Sequence, residues 1–175
     1  MSSYPSSGIV RFESRMKDDY DPSRTYVGMN KANCKPNGLW LSTINTSTNW
    51  RTWQEEKDDN KSYKQFDVSM DNILIIDSIT KLSDFTNKYK NDFVDTFSTD
   101  VICWSSVIKV YDGIFIHNFN REDLFLKENF DTLNWYLNYD CDTLVVWNLS
   151  CVSYVLDVNK TSNNTDKSND DCWIG

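Results

Sequence analysis

Two short apolar segments limit most strongly what this chain can fold into. Residues 39–42 follow a Pro-Asn-Gly turn, and residues 144–147 follow a short stretch that contains two aspartates. Each segment has the length and apolar character of a buried strand, and each ends on or just before a hydrogen-bonding residue, Ser42 or Asn148. This layout is typical of a cleft built at the ends of strands.

Further short strands and a few helices are predicted along the chain. Strands are expected at residues 9–12, 25–29, 63–68, 73–77, 114–117 and 152–158. Helices are expected after the N-cap Ser78 and at residues 104–111, and residues 49–55 and 132–137 are further helix candidates. Because strands and helices do not alternate regularly, we expect an α+β fold. It would be a single compact domain with a bent or split, antiparallel or mixed sheet and two or three helices.

The length of 175 residues is typical of one domain with one hydrophobic core. Residues 1–8 contain Ser and Pro and are expected to form a flexible lead-in. Residues 9–158 are expected to form the single α+β domain. Residues 159–175 are rich in Asn, Asp, Ser, Thr and Lys, so we expect a polar flexible tail.

The charge and hydropathy of the chain exclude several classes of partner. Its formal net charge is −8 and its pI is about 4.6, without a dense cluster of Lys and Arg, so direct nucleic-acid binding is not expected. The sequence contains neither a signal peptide nor a membrane span. We therefore expect an intracellular, cytoplasmic protein without membrane contact. The Asn-, Asp- and Lys-rich composition is typical of AT-rich genomes such as those of large DNA viruses or protists, and for a virus the location is the host cell.

The cysteines and the single histidine argue against a metal centre. Five cysteines occur, without a Cys-x-x-Cys pair, and their number is odd. A disulfide framework and a zinc site are therefore both disfavoured, and no metal site is predicted.

Three positions allow catalytic interpretations beside structural ones. His117 is either a general base or a strand-end residue, and Cys34 is either a nucleophile or a buried thiol. Asp140 and Asp142 lie two apart, so an extended backbone directs both carboxylates to one face. That arrangement suits acid/base chemistry or a hard cation, and it equally suits two solvated aspartates at the start of a strand.

The order of these segments resembles a compact ADP-ribosyltransferase-type domain. In that family a split, bent sheet clamps NAD, and a middle strand carries a glycine-aliphatic-aromatic-x-serine motif. The resemblance covers residues 25–150. The matching segments read Tyr26-Val27-Gly28, Gly38-Leu39-Trp40-Leu41-Ser42, Tyr111-Asp112-Gly113-Ile114 and Leu144-Val145-Val146-Trp147-Asn148.

The resemblance implies NAD as the ligand and substrate, with ADP-ribose transfer or NAD hydrolysis as the reaction. Ser42 would support the nicotinamide ribose. Thr143 stands where the family carries its glutamate, which leaves Asp142 as the nearest acidic residue. Asp142 would be the catalytic residue, orienting a ribose hydroxyl or stabilising positive charge. The implied NAD-binding residues are Tyr26, Gly28, Trp40, Ser42, Trp53 and Tyr63, and Gly28, Trp40, Ser42 and Asp142 are expected to share one concave pocket.

A second interpretation belongs to a different class of protein. The family carries a His or Arg near the position of Val27, and this chain has neither there. The chain also contains seven Trp residues, a type enriched at binding hot spots. The alternative is therefore a non-catalytic intracellular interaction or structural protein, viral in origin on the compositional argument. Its partner would be a protein target rather than a nucleotide.

Overall fold

The structure is a computed structural model, and its secondary structure consists of short strands and two helices. The residues that it describes are 5–15, 19–27, 29–30, 35–44, 46, 49, 63–91, 102–117, 133, 135–136, 139 and 141–158. Within them, the strands are β1 (Ile9–Ser14), β2 (Met29–Asn30), β3 (Lys35–Pro36), β4 (Leu39–Thr43), β5 (Tyr63–Ser69), β6 (Ile73–Ile76), β7 (Gly113–Ile116), β8 (Thr143–Val146) and β9 (Val152–Val158). The α-helices are α1 (Ile79–Tyr89) and α2 (Trp104–Val107).

Seven of these strands form one mixed sheet in the order β6-β7-β8-β4-β1-β5-β9. The β6–β7 pair is parallel, and the other neighbours are antiparallel. Two parallel neighbours require a crossover, and the segment containing α1 and α2 supplies it. The prediction of a single α+β domain with a mixed sheet and two or three helices is confirmed. The separate pair β2–β3 is antiparallel and lies outside this sheet.

Helix α1 begins and packs as its sequence predicts. The Ser78 hydroxyl accepts a hydrogen bond from the Lys81 backbone N–H at 3.3 Å, as an N-cap does. Lys81 also reaches back to Asp77, with 2.8 Å between the ammonium and a carboxylate oxygen. Leu82, Phe85 and Tyr89 are buried, so one stripe of the helix faces the core.

Two buried clusters lie on the two faces of the sheet, and β8 contributes to both. Val145 belongs to the first cluster with α1 and α2, whereas Leu144 and Val146 belong to the second. Residues that alternate along a strand point to opposite faces, so all four residues of β8 are buried. Residues 144–146 of this strand therefore form a continuous apolar run that is buried on both faces, as the sequence indicates.

Several sequence-based boundaries differ from the structure by one residue, and three differ by more. The strand predicted at residues 25–29 is reduced to β2, because the Asn37 side-chain amide, rather than a sheet ladder, bonds the Val27 carbonyl at 2.9 Å. The helix predicted at residues 104–111 ends at Val107, and a turn follows, consistent with the modest helix propensity of the β-branched residues there. The strand predicted at residues 9–12 extends to Ser14. Residues 50–55 of the helix predicted at 49–55, and residues 132, 134 and 137 of the one predicted at 132–137, lie outside the described residues. Neither described helix is long and apolar enough to cross a membrane.

We expect Ser78→Ala to lower the free energy of unfolding by about 0.5–2 kcal/mol, because it removes the side-chain acceptor at the start of α1. Urea denaturation of the purified protein measures this change. Asn87→Ala, an exposed substitution in the same helix, is the matched control and should leave the stability unchanged or slightly raised. Equal stability of the Ser78→Ala variant and the natural chain would contradict this account of the helix start.

We expect Gly113→Ala to destabilise the fold by about 1–3 kcal/mol through overpacking. A Cβ at position 113 would lie 2.6 Å from the Val145 carbonyl oxygen and 3.2 Å from the Val146 Cα, and both contacts are with backbone. The same urea titration tests this. A Gly113→Ala variant with an unchanged midpoint would show that β7 can shift away from β8 at little cost.

Candidate functional site

A cavity of about 590 Å³ lies beside the start of β4. Its walls come from two segments, residues 24–27 and residues 35–40, and its volume lies within the range usual for small-molecule sites. We call it the cleft. The residues that line it are Arg24, Thr25, Tyr26, Val27, Lys35, Pro36, Asn37, Gly38 and Trp40.

The lining of the cleft has the opposite sign of charge to the whole protein. Arg24 and Lys35 are cationic, and none of the lining residues that the structure describes is acidic. The chain as a whole carries a formal charge of −8. A local positive field on an acidic protein favours an anionic ligand at that place over binding of anions elsewhere on the surface.

Each cation of the cleft lies over an aromatic ring of the same wall. The Arg24 Cζ lies 5.3 Å from the centroid of the Tyr26 ring, and the Lys35 Nζ lies 5.2 Å from the centroid of the Trp40 ring system. Both distances are within the range of cation–π attraction. Burial is the main cause that raises the pKa of Tyr26, so its phenol stays neutral and can donate a hydrogen bond at neutral pH.

The Pro-Asn-Gly sequence shapes the wall that carries Trp40. Pro36 pairs with Met29 across the short β2–β3 ladder, and the Asn37 amide donates to the Val27 carbonyl of the opposite wall. A Cβ at Gly38 would lie 2.5 Å from Val145 Cγ1, so glycine permits the chain to approach β8 closely. The turn residues thus tie the two walls together and start β4 against the sheet.

Aromatic contacts connect the cleft to the first core cluster. The Trp40 and Tyr139 ring centroids are 5.7 Å apart, and the Lys35 Nζ lies 4.9 Å from the Tyr139 centroid. Tyr139 in turn stacks on Tyr136 at 4.8 Å. Because Tyr139 and Tyr136 are buried, the rear of the cleft is supported by packed rings.

The structure brings some of the predicted NAD-binding residues together. Tyr26 and Trp40 line the same cavity, on its two walls. Ser42 is fully buried and is not part of that lining. Tyr63 is also buried, and it lies on β5, two strands away from β4 in the sheet. Gly28 and Trp53 lie outside the described residues.

Ser42 and Asp142 are close neighbours through the main chain. The Ser42 hydroxyl donates to the Asp142 backbone carbonyl at 3.4 Å, and Ser42 pairs with Thr143 in the β4–β8 ladder. The alternation of β8, continued by one residue, directs the Asp142 side chain to the face of Leu144, opposite to the face of Ser42. The Asp142 side chain is buried.

Glu13 is a buried carboxylate that sequence reasoning missed. It pairs with Ser42 in the β1–β4 ladder, so the two side chains share one face of the sheet. Glu13 is only 1% exposed. The strand predicted from the sequence ended at residue 12, one residue before Glu13, and the burial of Glu13 follows from the extension of β1 to Ser14 and its pairing with β4.

Arg24, Lys35 and Asn37 were also missed as site residues. Arg24 and Tyr26 lie two apart, a spacing that places a cation and a ring on one side of an extended segment. Lys35 stands directly before the Pro-Asn-Gly turn. The spacing of Arg24 and Tyr26 was therefore visible in the sequence, whereas the meeting of the two walls depends on the Asn37 hydrogen bond across them.

The remaining residues with catalytic interpretations are His117, Cys34 and Asp140. His117 is buried, its ring stacks on Phe115 at 4.6 Å, and its backbone N–H donates to the Ile76 carbonyl. His117 does not line the cleft. Cys34 and Asp140 lie outside the described residues. In the part of the chain that the structure describes, no group of three His, Cys, Asp or Glu side chains is placed to hold a metal ion.

Comparisons with family models, with curated proteins and with solved structures found no match to this chain.

Proposed function

We propose that this domain binds NAD or a related nucleotide in the cleft between residues 24–27 and 35–40. The observation that carries the proposal is the pairing of a cation with an aromatic ring on each wall, Arg24 with Tyr26 and Lys35 with Trp40. Nucleotides combine anionic phosphates with flat rings, so they match both halves of each pair. The resemblance of residues 25–150 to ADP-ribosyltransferase-type domains selects NAD as the first nucleotide to test.

Recognition in the cleft would use few groups, each with a distinct role. Arg24 and Lys35 supply charge-assisted hydrogen bonds to phosphate oxygens. Trp40 offers a large ring face for stacking, and Tyr26 offers a ring together with a neutral hydroxyl. The two walls are joined by the hydrogen bond from Asn37 to the Val27 carbonyl. Less conformational entropy is therefore lost when a ligand binds, because the walls are already ordered.

The reaction implied by the resemblance is a further part of the proposal. ADP-ribose transfer or NAD hydrolysis would need an acidic group near the nicotinamide ribose to stabilise positive charge. Asp142 was predicted for that role, and an extended continuation of β8 by one residue would aim its side chain away from Ser42. Glu13 shares the face of Ser42 and is therefore the second acidic residue to test.

We expect NAD to bind the natural chain, and Trp40→Leu to weaken binding by about tenfold or more, because base stacking on an aromatic ring is worth about 1–3 kcal/mol. Trp40→Phe keeps an aromatic face and should retain most of the affinity. Isothermal titration calorimetry measures all three proteins, and thermal unfolding confirms that the variants are folded. Absence of binding at millimolar NAD would retire the proposed function.

If the domain turns NAD over, we expect release of nicotinamide to fall at least about tenfold when the acidic group is neutralised. Asp142→Asn and Glu13→Gln are compared at saturating NAD, with liquid chromatography of nicotinamide as the readout. Loss of nicotinamide release only in Glu13→Gln would assign the acidic role to Glu13, which lies on the face of Ser42. Loss only in Asp142→Asn would contradict the side-chain direction argued above, and binding without turnover would leave a nucleotide-binding domain that is not an enzyme.

A second candidate function, a protein-binding domain without catalysis, is favoured by the groove between β6 and α1. This groove of about 290 Å³ is lined by Leu74, Ile75, Ile76, Lys81, Asp84, Phe85, Lys88, Tyr89 and Tyr111. In the described sheet β6 is one of the two outermost strands, and its four residues are all aliphatic, without the charge or proline that commonly protects an edge. An extended segment of a partner protein could add to β6 as a further strand. Ile75→Lys should abolish such binding and leave NAD affinity unchanged, which separates the two candidates.

A further inference from the structure

Tyr139 has a buried hydroxyl group without a partner in the described part of the chain. The residue is 4% exposed, and its hydroxyl oxygen makes no hydrogen bond to any residue that the structure describes. Buried polar groups in folded proteins nearly always have such a partner, because desolvation without one costs free energy. A phenylalanine would fill almost the same space without that cost, so packing alone does not account for a tyrosine at this position.

The surrounding aromatic rings hold this hydroxyl in place. The Tyr139 ring stacks on Tyr136 at 4.8 Å between centroids. It meets Trp135 edge to face at 5.8 Å and contacts Trp40 at 5.7 Å. A phenol hydroxyl turns only about its own C–O bond, so its oxygen stays in one position while the ring is fixed. The hydroxyl is therefore preorganised, and a ligand that accepts its hydrogen bond does not have to order it.

The Tyr139 ring lies directly behind the cleft. Trp40 and Lys35 contact this ring and also line the cleft. The Lys35 ammonium, proposed above to bind phosphate oxygens, lies 4.9 Å from the Tyr139 ring centroid. A phosphate group bound by this ammonium would therefore lie next to the Tyr139 ring. Burial raises the pKa of Tyr139 far above its ordinary value, so the hydroxyl keeps its proton and can donate a hydrogen bond.

We infer that the Tyr139 hydroxyl donates a hydrogen bond to a phosphate oxygen of a nucleotide bound in the cleft. This inference rests on the proposed function and adds a specificity-determining residue to it. The hydroxyl is shielded from water, and the Lys35 ammonium lies over the ring. Lysine has a flexible four-carbon stem, so movement of the ammonium with a bound phosphate would uncover the ring and let the phosphate approach. The charge of the phosphate then strengthens the hydrogen bond.

The test measures affinity and stability on the same variant. Tyr139→Phe removes the hydroxyl and keeps the ring, and adenosine and ADP are titrated into the natural chain and the variant by calorimetry. We expect ADP affinity to fall about tenfold or more, as for loss of a hydrogen bond to a charged group, and adenosine affinity to change less than about twofold. We expect the urea midpoint of Tyr139→Phe to stay unchanged or to rise, because the variant no longer buries a hydroxyl without a partner.

Tyr20→Phe is the matched control. The Tyr20 hydroxyl is likewise buried without a hydrogen-bond partner among the described residues, but its ring packs against the second cluster and does not line the cleft. Tyr20→Phe should therefore leave ADP affinity unchanged, with a urea midpoint that is unchanged or raised. A loss of ADP affinity in Tyr139→Phe alone would assign the effect to the position of this hydroxyl behind the cleft.

The outcomes distinguish the inference from the proposed function. Unchanged ADP affinity in Tyr139→Phe, or equal losses of adenosine and ADP affinity, would overturn the inference while nucleotide binding stands. A lower urea midpoint would also overturn it, because the hydroxyl would then have a structural role. If the natural chain binds neither adenosine nor ADP, the proposed function fails, and inorganic pyrophosphate becomes the probe. Pyrophosphate binding that weakens in Tyr139→Phe but not in Tyr20→Phe would support the phosphate contact on its own, and absent or unchanged pyrophosphate binding would overturn it.

Discussion

The close packing of two strands against β8 is the constraint on which the rest of the structure depends. Gly38, directly before β4, and Gly113, the first residue of β7, approach β8 from its two sides, and both lie against Val145 and Val146. A side chain at either glycine would collide with this strand. The three strands can therefore be neighbours only because glycine stands at these two positions, and the four buried residues of β8 then supply apolar contacts to both faces of the sheet.

The position of the cleft follows from that packing. At Gly38 the chain lies close against β8. Side chains alternate along β4, so Leu39 and Leu41 pack in the second cluster and Trp40 packs against the first. Trp40 is only partly buried, so one part of its ring system packs and another part lines the cavity. The aromatic surface of the site is thus a continuation of the core rather than a loop added to it.

Local sequence patterns predicted most of the fold, whereas the set of residues that meet in the cleft depends on pairing between segments that are distant in the sequence. The cap at Ser78, the apolar run of β6 and the strand 152–158 were predictable because each depends on neighbouring residues in sequence. The parallel β6–β7 pair was not predictable in the same way, since it joins two strands that lie far apart in the sequence. The same holds for Glu13, whose burial depends on the pairing of β1 with β4 and not on its own neighbours. Tyr26 and Trp40 were predicted as binding residues from their rings and from a family resemblance. Arg24 and Lys35 can be recognised as lining residues only once the structure shows that the two walls meet.

Trp40 belongs both to the packing of the core and to the lining of the cleft proposed as a nucleotide site. Its ring contacts Tyr139, which belongs to the first core cluster, and it also holds Lys35 at the cleft. A substitution that removes the ring takes away core contacts and binding contacts at once, so a loss of affinity has two sources. Lys35 does not share this ambiguity, because its ammonium lies on the rings and is not part of the core clusters. A substitution at Lys35 would therefore test the proposed site with less effect on the fold than a substitution at Trp40.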